Sequence, residues 1–558
     1  MTHWPNRFPR FATLGAALSC VVCAGWFQLW SANYPDQRFY LRDYTVTSIY
    51  AGNSIKVFNV LESDGTVWPL PLYPGGWNLW LSSHIYSHGE LTLLLDGIGI
   101  LFALGMSVGI YYDARYSRKV FEGSLIRGTR KVSPAEFNRA TKGDGIRFQA
   151  GKNSFIQIRR DKEANHIQIA GDTGAGKSTV IRDILYQVEE RNESAVIFDP
   201  DRQYIEEFFD DSRGDWVLNP TDNRCPYWPI GAEANDEAEA SAIASGLFPE
   251  GPTVQRFFLN HTRAIFAFLL AEYRPSCAEL AHWMAHPDEI DQRVEDTEHR
   301  QTLTEASPNQ RSGVIGSMNE AGRPLRMMPG PEGRRVWTAR EWAGERQGWI
   351  FITSTPDTLE ALRPLQSLWL DMLILKLQAG TSTRRVWVVL DELATLNQLP
   401  QLHSALTRQR RSGHPIVLGF QGMSQIEALY GKEMAQTILS QAFTNIVLRT
   451  SESQAALHLS ERIGNAEVER VRESRPAGVF NQRGRMYNSE RVTVPVVMDS
   501  EIMKLNDLTG YFVQSGKVVE MSFAPRVKRS RAPGLIRRAI PSVRSAPGVL
   551  REPESATN

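Results

Sequence analysis

Residues 166–181 read HIQIAGDTGAGKSTVI, and the order of these side chains points to phosphate chemistry. An apolar strand over Ile167 to Ala170 runs into Gly171, Asp172, Thr173, Gly174, Ala175, Gly176, Lys177, Ser178 and Thr179, where an apolar helical pattern begins. This is G-x-x-x-x-G-K-[ST] in the strand–loop–helix setting its mechanism requires. Glycines let successive backbone N–H groups curl around phosphate oxygens, and the helix N-terminus adds a favourable dipole. Lys177 is expected to reach the β- and γ-phosphates, and Ser178 to ligate Mg²⁺.

Hydrolysis needs a second, acidic strand. Residues 385–396 read RVWVVLDELATL, with the apolar run Val386 to Leu390 leading into Asp391 and Glu392. Such a run suits a buried parallel strand. At its carboxyl end Asp391 would hold Mg²⁺ through water, and Glu392 would orient and polarise the attacking water. An exposed acidic pair after a core strand is the plainer alternative, and the accompanying phosphate loop favours the hydrolytic one. Guanine-reading patterns are in the wrong places: Thr141-Lys142-Gly143-Asp144 precedes the phosphate loop, and Asp211-Ser212-Arg213-Gly214 follows a polar stretch rather than a strand. ATP with Mg²⁺ is therefore the expected ligand pair.

The chain that must position these residues has 558 of them, enough for three or four domains. Lys plus Arg (62) balances Asp plus Glu (62), so any nucleic-acid surface is local rather than a global basic bias. The four cysteines, Cys20, Cys23, Cys225 and Cys277, have neither disulfide-scaffold nor zinc-ligand spacing.

Two apolar runs, 11–30 and 91–112, are long enough to cross a bilayer as helices, about 20 residues being required. Arg7 and Arg10 flank the first, and Arg115, Arg118, Lys119, Arg127, Arg130 and Lys131 follow the second. The positive-inside rule then places both termini in the cytoplasm and loop 31–90 outside. That loop carries the aromatic cluster Trp68, Tyr73, Trp77 and Trp80, as expected of a small folded or membrane-apposed unit.

After this membrane anchor (1–113), strands are expected at Ser194–Asp199 and Gly348–Thr353, with helical patterns between about 232 and 343. Lys177 and Asp391 lie 214 residues apart, too far for neighbouring strands of one compact core. The economical arrangement is an α/β nucleotide-binding domain in two parts, 114–231 and 344–525, interrupted by an all-α insertion at 232–343. Residues 526–558 are Pro-rich and basic, a composition expected to be disordered and solvated.

These residues resemble the coupling-protein ATPases of conjugative DNA transfer and type IV secretion. The likeness rests on IAGDTGAGKS, VIFDPD (196–201), VLNPTDNRCPYW (217–228), LDELATLNQLPQL (390–402), GFQGMSQIEALYG (419–431) and HLSERIG (458–464), and on the two-span start. It implies a RecA-like motor with an inserted all-α domain, preceded by two transmembrane helices in the bacterial inner membrane. It further implies a homo-hexamer that recruits a relaxase and pumps single-stranded DNA into a type IV secretion channel. Gln421 then falls where the family's γ-phosphate sensor sits. Arg449 becomes the candidate arginine reaching a neighbouring subunit's γ-phosphate, with Arg408, Arg410 and Arg411 as competitors. The basic tail departs from the long acidic extension of some members, so recognition of cargo would fall to the insertion, with Glu233, Asp236, Glu237 and Glu239 near its start. A double-stranded DNA pump, a pilus-type secretion ATPase and a non-hydrolysing membrane scaffold remain as rivals. The short stretch after Phe523 disfavours the first of these and the two-span start the second.

Overall fold

The structure is a computed structural model describing residues 7–33, 57–61, 67–71, 100, 102–108, 111, 124–139, 143–249, 253–303, 308–379, 384–474 and 486–539. The chain divides into two compact units, Met1–Arg127 with Glu467–Val494, and Gly128–Ala466 with Pro495–Asn558.

In the first unit a helix over Arg7–Asn33 takes in the first apolar run. Strands β1 (Val57–Leu61) and β2 (Val67–Pro71) form an antiparallel hairpin with Val60 opposite Trp68. Residues 102–108 are helical, and most of the second run lies outside the described residues. Among the described residues no helix is long and apolar enough to cross a membrane. Strand β3 (Ser124–Gly128) joins two later strands in a three-stranded sheet.

The second unit is built on a ten-stranded sheet. In chain order come β4 (Arg130–Lys131), the hairpin β5 (Arg147–Gly151) and β6 (Ser154–Gln157), β7 (Ile167–Ala170), β8 (Ser194–Asp199), β9 (Trp216–Leu218), β10 (Ile350–Thr353), β11 (Val386–Leu390), β12 (Ile416–Phe420) and β13 (Thr444–Leu448). After β14 (Asn465–Ser474) and β15 (Met486–Pro495), which form a sheet with β3 in the order β15-β14-β3, come β16 (Thr509–Gln514) and β17 (Lys517–Ser522). The sheet order is β4-β17-β16-β13-β7-β12-β11-β8-β10-β9. From β13 to β9 every neighbouring pair is parallel, and β16 closes antiparallel onto β13.

Strands β7, β8, β10, β11 and β12 are buried at every position, as a parallel sheet covered on both faces must be. Alternate residues feed two separate cores. Val196, Phe198, Val386, Val388 and Leu390 face one, while Ala195, Ile197, Trp387 and Val389 face the other together with Val180, Ile184 and Val188 of the helix Lys177–Glu190. The helices Glu237–Leu247, Thr253–Tyr273, Cys277–Ala285, Pro287–Val294 and Pro308–Leu325 lie between β9 and β10 in sequence, and their buried residues join the first core. Ser276 and Glu279 close a capping box at the start of one of them.

Most of the acidic residues at the start of this helical segment serve its attachment. Glu233 is fully buried and accepts from Trp228 Nε1 (2.9 Å) and the Ala339 N–H (2.6 Å). Glu239 pairs with Lys376 at 2.7 Å and with Arg340, and Asp236 caps the helix through the Glu239 N–H. Of the four, Glu237 alone is left exposed without such a role.

The basic segment expected to be disordered is likewise ordered as far as residue 539. Arg526 meets Asp183 at 2.7 Å and lies 4.8 Å from the Tyr186 ring centroid. Lys528 pairs with Glu206, and Arg531 grips both carboxylate oxygens of Glu189. Further on, the Arg538 N–H donates to Thr221 O and its guanidinium to Pro220 O. The counter-charges come from residues more than 300 positions earlier, so local composition could not show them. Residues 540–558 lie outside the described residues.

One buried acid in the helix Leu359–Ala379 carries a pH prediction. Burial pushes the Asp371 carboxyl up to about 7, although it accepts the Gln401 N–H at 2.8 Å. A raised carboxyl contributes stability that is complete below its unfolded value near 4 and is lost as pH rises through 7. Asp371→Asn keeps the acceptor and removes the buried charge. Its melting temperature should exceed that of the parent at pH 8 and converge with it near pH 4, measured by calorimetry across that range.

Candidate nucleotide site

The carboxyl ends of the parallel strands meet along one edge. Phe420 and Val447 flank Ala170, Leu390 lies beside Phe198, and Thr353 beside Asp199. β12 separates β7 from β11, which explains how the phosphate loop and the acidic pair serve one site from strands far apart in sequence. Gly419 lets them close up: a Cβ there would stand 2.1 Å from the Asp391 carbonyl oxygen.

The loop between β7 and the helix Lys177–Glu190 is pinned on both sides. Asp172 donates its N–H to Arg449 O (2.9 Å), while its carboxylate accepts from the Ser451 N–H (2.7 Å) and the Thr450 hydroxyl (3.2 Å). Its side chain therefore holds the loop to the end of β13. On the other side the Leu508 N–H donates to Ala175 O at 3.0 Å. Gly176 has φ +116°, and a Cβ on it would lie 2.8 Å from the Phe523 ring, so only glycine fits. No side chain caps the helix that follows. An uncapped helix N-terminus favours an anion.

Lys177, Asp391 and Glu392 are all buried. Lys177 Nζ donates to Glu392 Oε2 at 2.8 Å and stands 3.9 Å from Asp391 Oδ1. Burial pushes the Asp391 carboxyl up, and the Lys177 ammonium opposes that shift. Two buried carboxylate oxygens, Asp391 Oδ1 and Glu392 Oε1, have no hydrogen-bond partner. Together with the Ser178 hydroxyl they form a hard-oxygen set that fits a magnesium ion, which takes one or two carboxylates and completes its shell with water and phosphate oxygens.

Gln421 extends from the end of β12 and accepts the Thr173 hydroxyl at 3.1 Å. The short helix Met423–Tyr430 follows. Its far end is tied to the segment after Glu392: Gln398 Nε2 donates to Leu429 O and the Leu399 N–H donates to the Tyr430 hydroxyl at 3.1 Å. Arg449, just past β13, is paired with Asp507 at 2.6 Å. Arg408 is exposed, and the side chains of Arg410 and Arg411 lie outside the described residues.

A cleft of about 310 Å³ runs along this edge and brings together Asp172, Thr173, Gly174, Gly176, Lys177, Ser178, Thr179, Asp391, Glu392 and Gln421. Gly171 and Ala175 sit behind them in the loop, and Arg449 does not line the cleft. Asp201 and Leu508 do, and neither was expected from sequence. Asp199 was also missed. It is fully buried, its carboxyl is pushed by burial up to about 7, and it accepts the N–H groups of Gln203, Tyr204 and Ile205. Its place at the end of a buried strand, as the last residue of SAVIFD, was the available signal.

Comparison with known proteins agrees with this geometry. Coupling protein TraD of Escherichia coli K12 is 28% identical over 496 residues, covering 83% of this chain and 66% of TraD, so the chain spans just under two thirds of that relative. Among solved structures, plasmid coupling protein TrwB in complex with a non-hydrolysable ATP analogue superposes with a TM-score of 0.65 at 28% identity, over 75% of this chain and 98% of TrwB. TrwB in complex with ADP and Mg²⁺ gives the same score and identity over 75% of this chain and 99% of TrwB. The family model for the type IV secretion-system coupling protein DNA-binding domain matches residues 152–523, and with most of its length inside that match the chain belongs to the type IV secretion-system coupling proteins.

Proposed function

We propose that the chain is an ATP-hydrolysing coupling protein that recruits a relaxase–DNA complex and drives single-stranded DNA into a type IV secretion channel. The observation that carries this reading is Lys177 held between Asp391 and Glu392 beside an uncapped helix, in a member of the coupling-protein family. The solved relatives with bound nucleotide, one with Mg²⁺, support ATP and Mg²⁺ as ligands here.

In this mechanism Lys177 exchanges Glu392 for phosphate oxygens when ATP enters. Glu392, released, aligns a water for in-line attack. Ser178 and Asp391 would hold Mg²⁺, which when bound neutralises charge on the β- and γ-phosphates. Gln421 trades its bond to Thr173 for the γ-phosphate and loses that bond on hydrolysis. For Arg449 to reach a neighbouring subunit it must first leave Asp507. Transport by contacts to the nucleic-acid backbone would be largely independent of sequence.

The same reading takes 11–30 and 91–112 as inner-membrane spans with both termini cytoplasmic, 114–231 and 344–525 as the two parts of a RecA-like domain, 232–343 as its all-α insertion, and a homo-hexamer as the working form. The charges flanking the two apolar runs support the orientation.

The test is ATP turnover by the purified full chain in detergent, with and without single-stranded DNA. Turnover stimulated by DNA and abolished in Lys177→Ala is expected. Nucleotide binding without turnover, in preparations that oligomerise on DNA, would overturn the motor and favour a nucleotide-locked scaffold.

A further inference from the structure

Tyr204 belongs to none of the nucleotide motifs, yet its hydroxyl ends inside the site. The side chain is wholly buried. Asp199 holds its backbone, accepting the Tyr204 and Ile205 N–H groups at 2.8 and 2.9 Å. Arg182 lies over the ring at 5.8 Å and is itself fixed by Gln203 (3.0 Å) and Glu207 (3.1 Å). The ring is thus clamped from its backbone and from one face.

The hydroxyl donates to Asp391 Oδ2 at 3.0 Å. A phenol has one proton to give, and here it goes to the carboxylate that follows β11. That bond fixes the carboxylate with Oδ2 turned to the ring. Asp391 Oδ1 has no hydrogen-bond partner and stands 3.9 Å from the Lys177 ammonium. A tyrosine present only for packing needs one partner for its hydroxyl, and a backbone carbonyl would serve. Here the partner is the acid of the nucleotide site.

We infer that Tyr204 is a positioning residue for the magnesium ion of the ATP site, setting the carboxylate of Asp391 for metal binding. The inference rests on the proposed nucleotide reading and adds to it a residue that touches neither phosphate nor metal.

The experiment uses the full chain and Tyr204→Phe, with a non-hydrolysable ATP analogue and Mn²⁺ in place of Mg²⁺. Nucleotide affinity in EDTA should be the same for both proteins. The affinity of the nucleotide-bound protein for Mn²⁺, followed by electron paramagnetic resonance, should fall about tenfold or more in Tyr204→Phe, the usual loss when an outer-shell partner is removed. Equal Mn²⁺ affinity in both proteins overturns the role of Tyr204. A parent protein that binds neither nucleotide nor metal overturns the nucleotide reading instead. Should Tyr204→Phe not fold, fluorotyrosine placed at position 204 of the otherwise native chain gives a fluorine resonance. In the nucleotide complex that resonance should move on addition of Mg²⁺, and a resonance that stays in place overturns the inference.

Discussion

Glu392→Gln should bind ATP more tightly than the parent protein while turning it over about 10²–10⁴-fold more slowly, the span expected on removing a positioned acid–base group. Both changes have one cause. Without nucleotide, Glu392 is the nearest partner of Lys177, 2.8 Å from its ammonium, so the carboxylate competes with incoming phosphate for the same cation. An amide of the same shape competes less and removes one negative charge from a buried site that must receive a polyanion. It also cannot polarise water as a carboxylate does. Lys177→Ala makes the useful contrast, since it should lose affinity and turnover together. Equilibrium binding of a fluorescent ATP analogue and steady-state phosphate release from the same preparations measure both quantities. Parent-like turnover in Glu392→Gln would reduce Glu392 to a resting partner of Lys177.

The largest stability effect is expected at Glu163, far from the chemistry. Its carboxylate is fully buried and accepts from the Ile146 N–H (2.7 Å), Arg191 (2.9 Å) and Arg385 (2.5 Å). It thereby joins the segment before β5, the end of the helix Lys177–Glu190 and the residue before β11. Burial nevertheless pushes the Glu163 carboxyl up against the pull of both arginines. Desolvation therefore outweighs attraction, so burial penalises the charged form relative to water. Glu163→Ala leaves two guanidinium groups without their shared anion and should cost about 3–5 kcal/mol, the usual penalty for breaking a buried pair. Glu163→Gln keeps the shape and an acceptor and should cost clearly less. Urea unfolding of the two variants at one pH separates them, and equal losses would show that the charge itself holds these elements together.

How much of this was legible in the sequence depended on how far each residue's partners lie along the chain. The strand–loop–helix over 167–190 and the strand before Asp391 could be read because strand burial and helix periodicity are local, and both elements occupy the expected residues. The seat of the strand Ile416–Phe420 between β7 and β11 is a non-local pairing and could not be read. What failed was the assignment of charges. The attachment roles of Glu233 and Glu239 were not legible because Ala339, Arg340 and Lys376 lie about a hundred residues later. The segment from Arg526 read as disordered because Asp183, Glu189 and Glu206 lie far before it. Tyr204 carried no signal, since its partner Asp391 is 187 positions away. In each case a charged or polar side chain has a partner that only the fold supplies.

The helix Met423–Tyr430 has a mechanical consequence. At one end it follows Gln421 by a single glycine, and at the other it is tied to Gln398 and Leu399, which follow Glu392 by one short turn. Eight residues of α-helix make a strut of about 12 Å. With β11 and β12 side by side, strut, sheet and turn form a closed linkage with few free joints. A tug on the amide at one corner is therefore delivered as a push on the segment behind the acidic pair, so the two halves of the site move as parts of one frame.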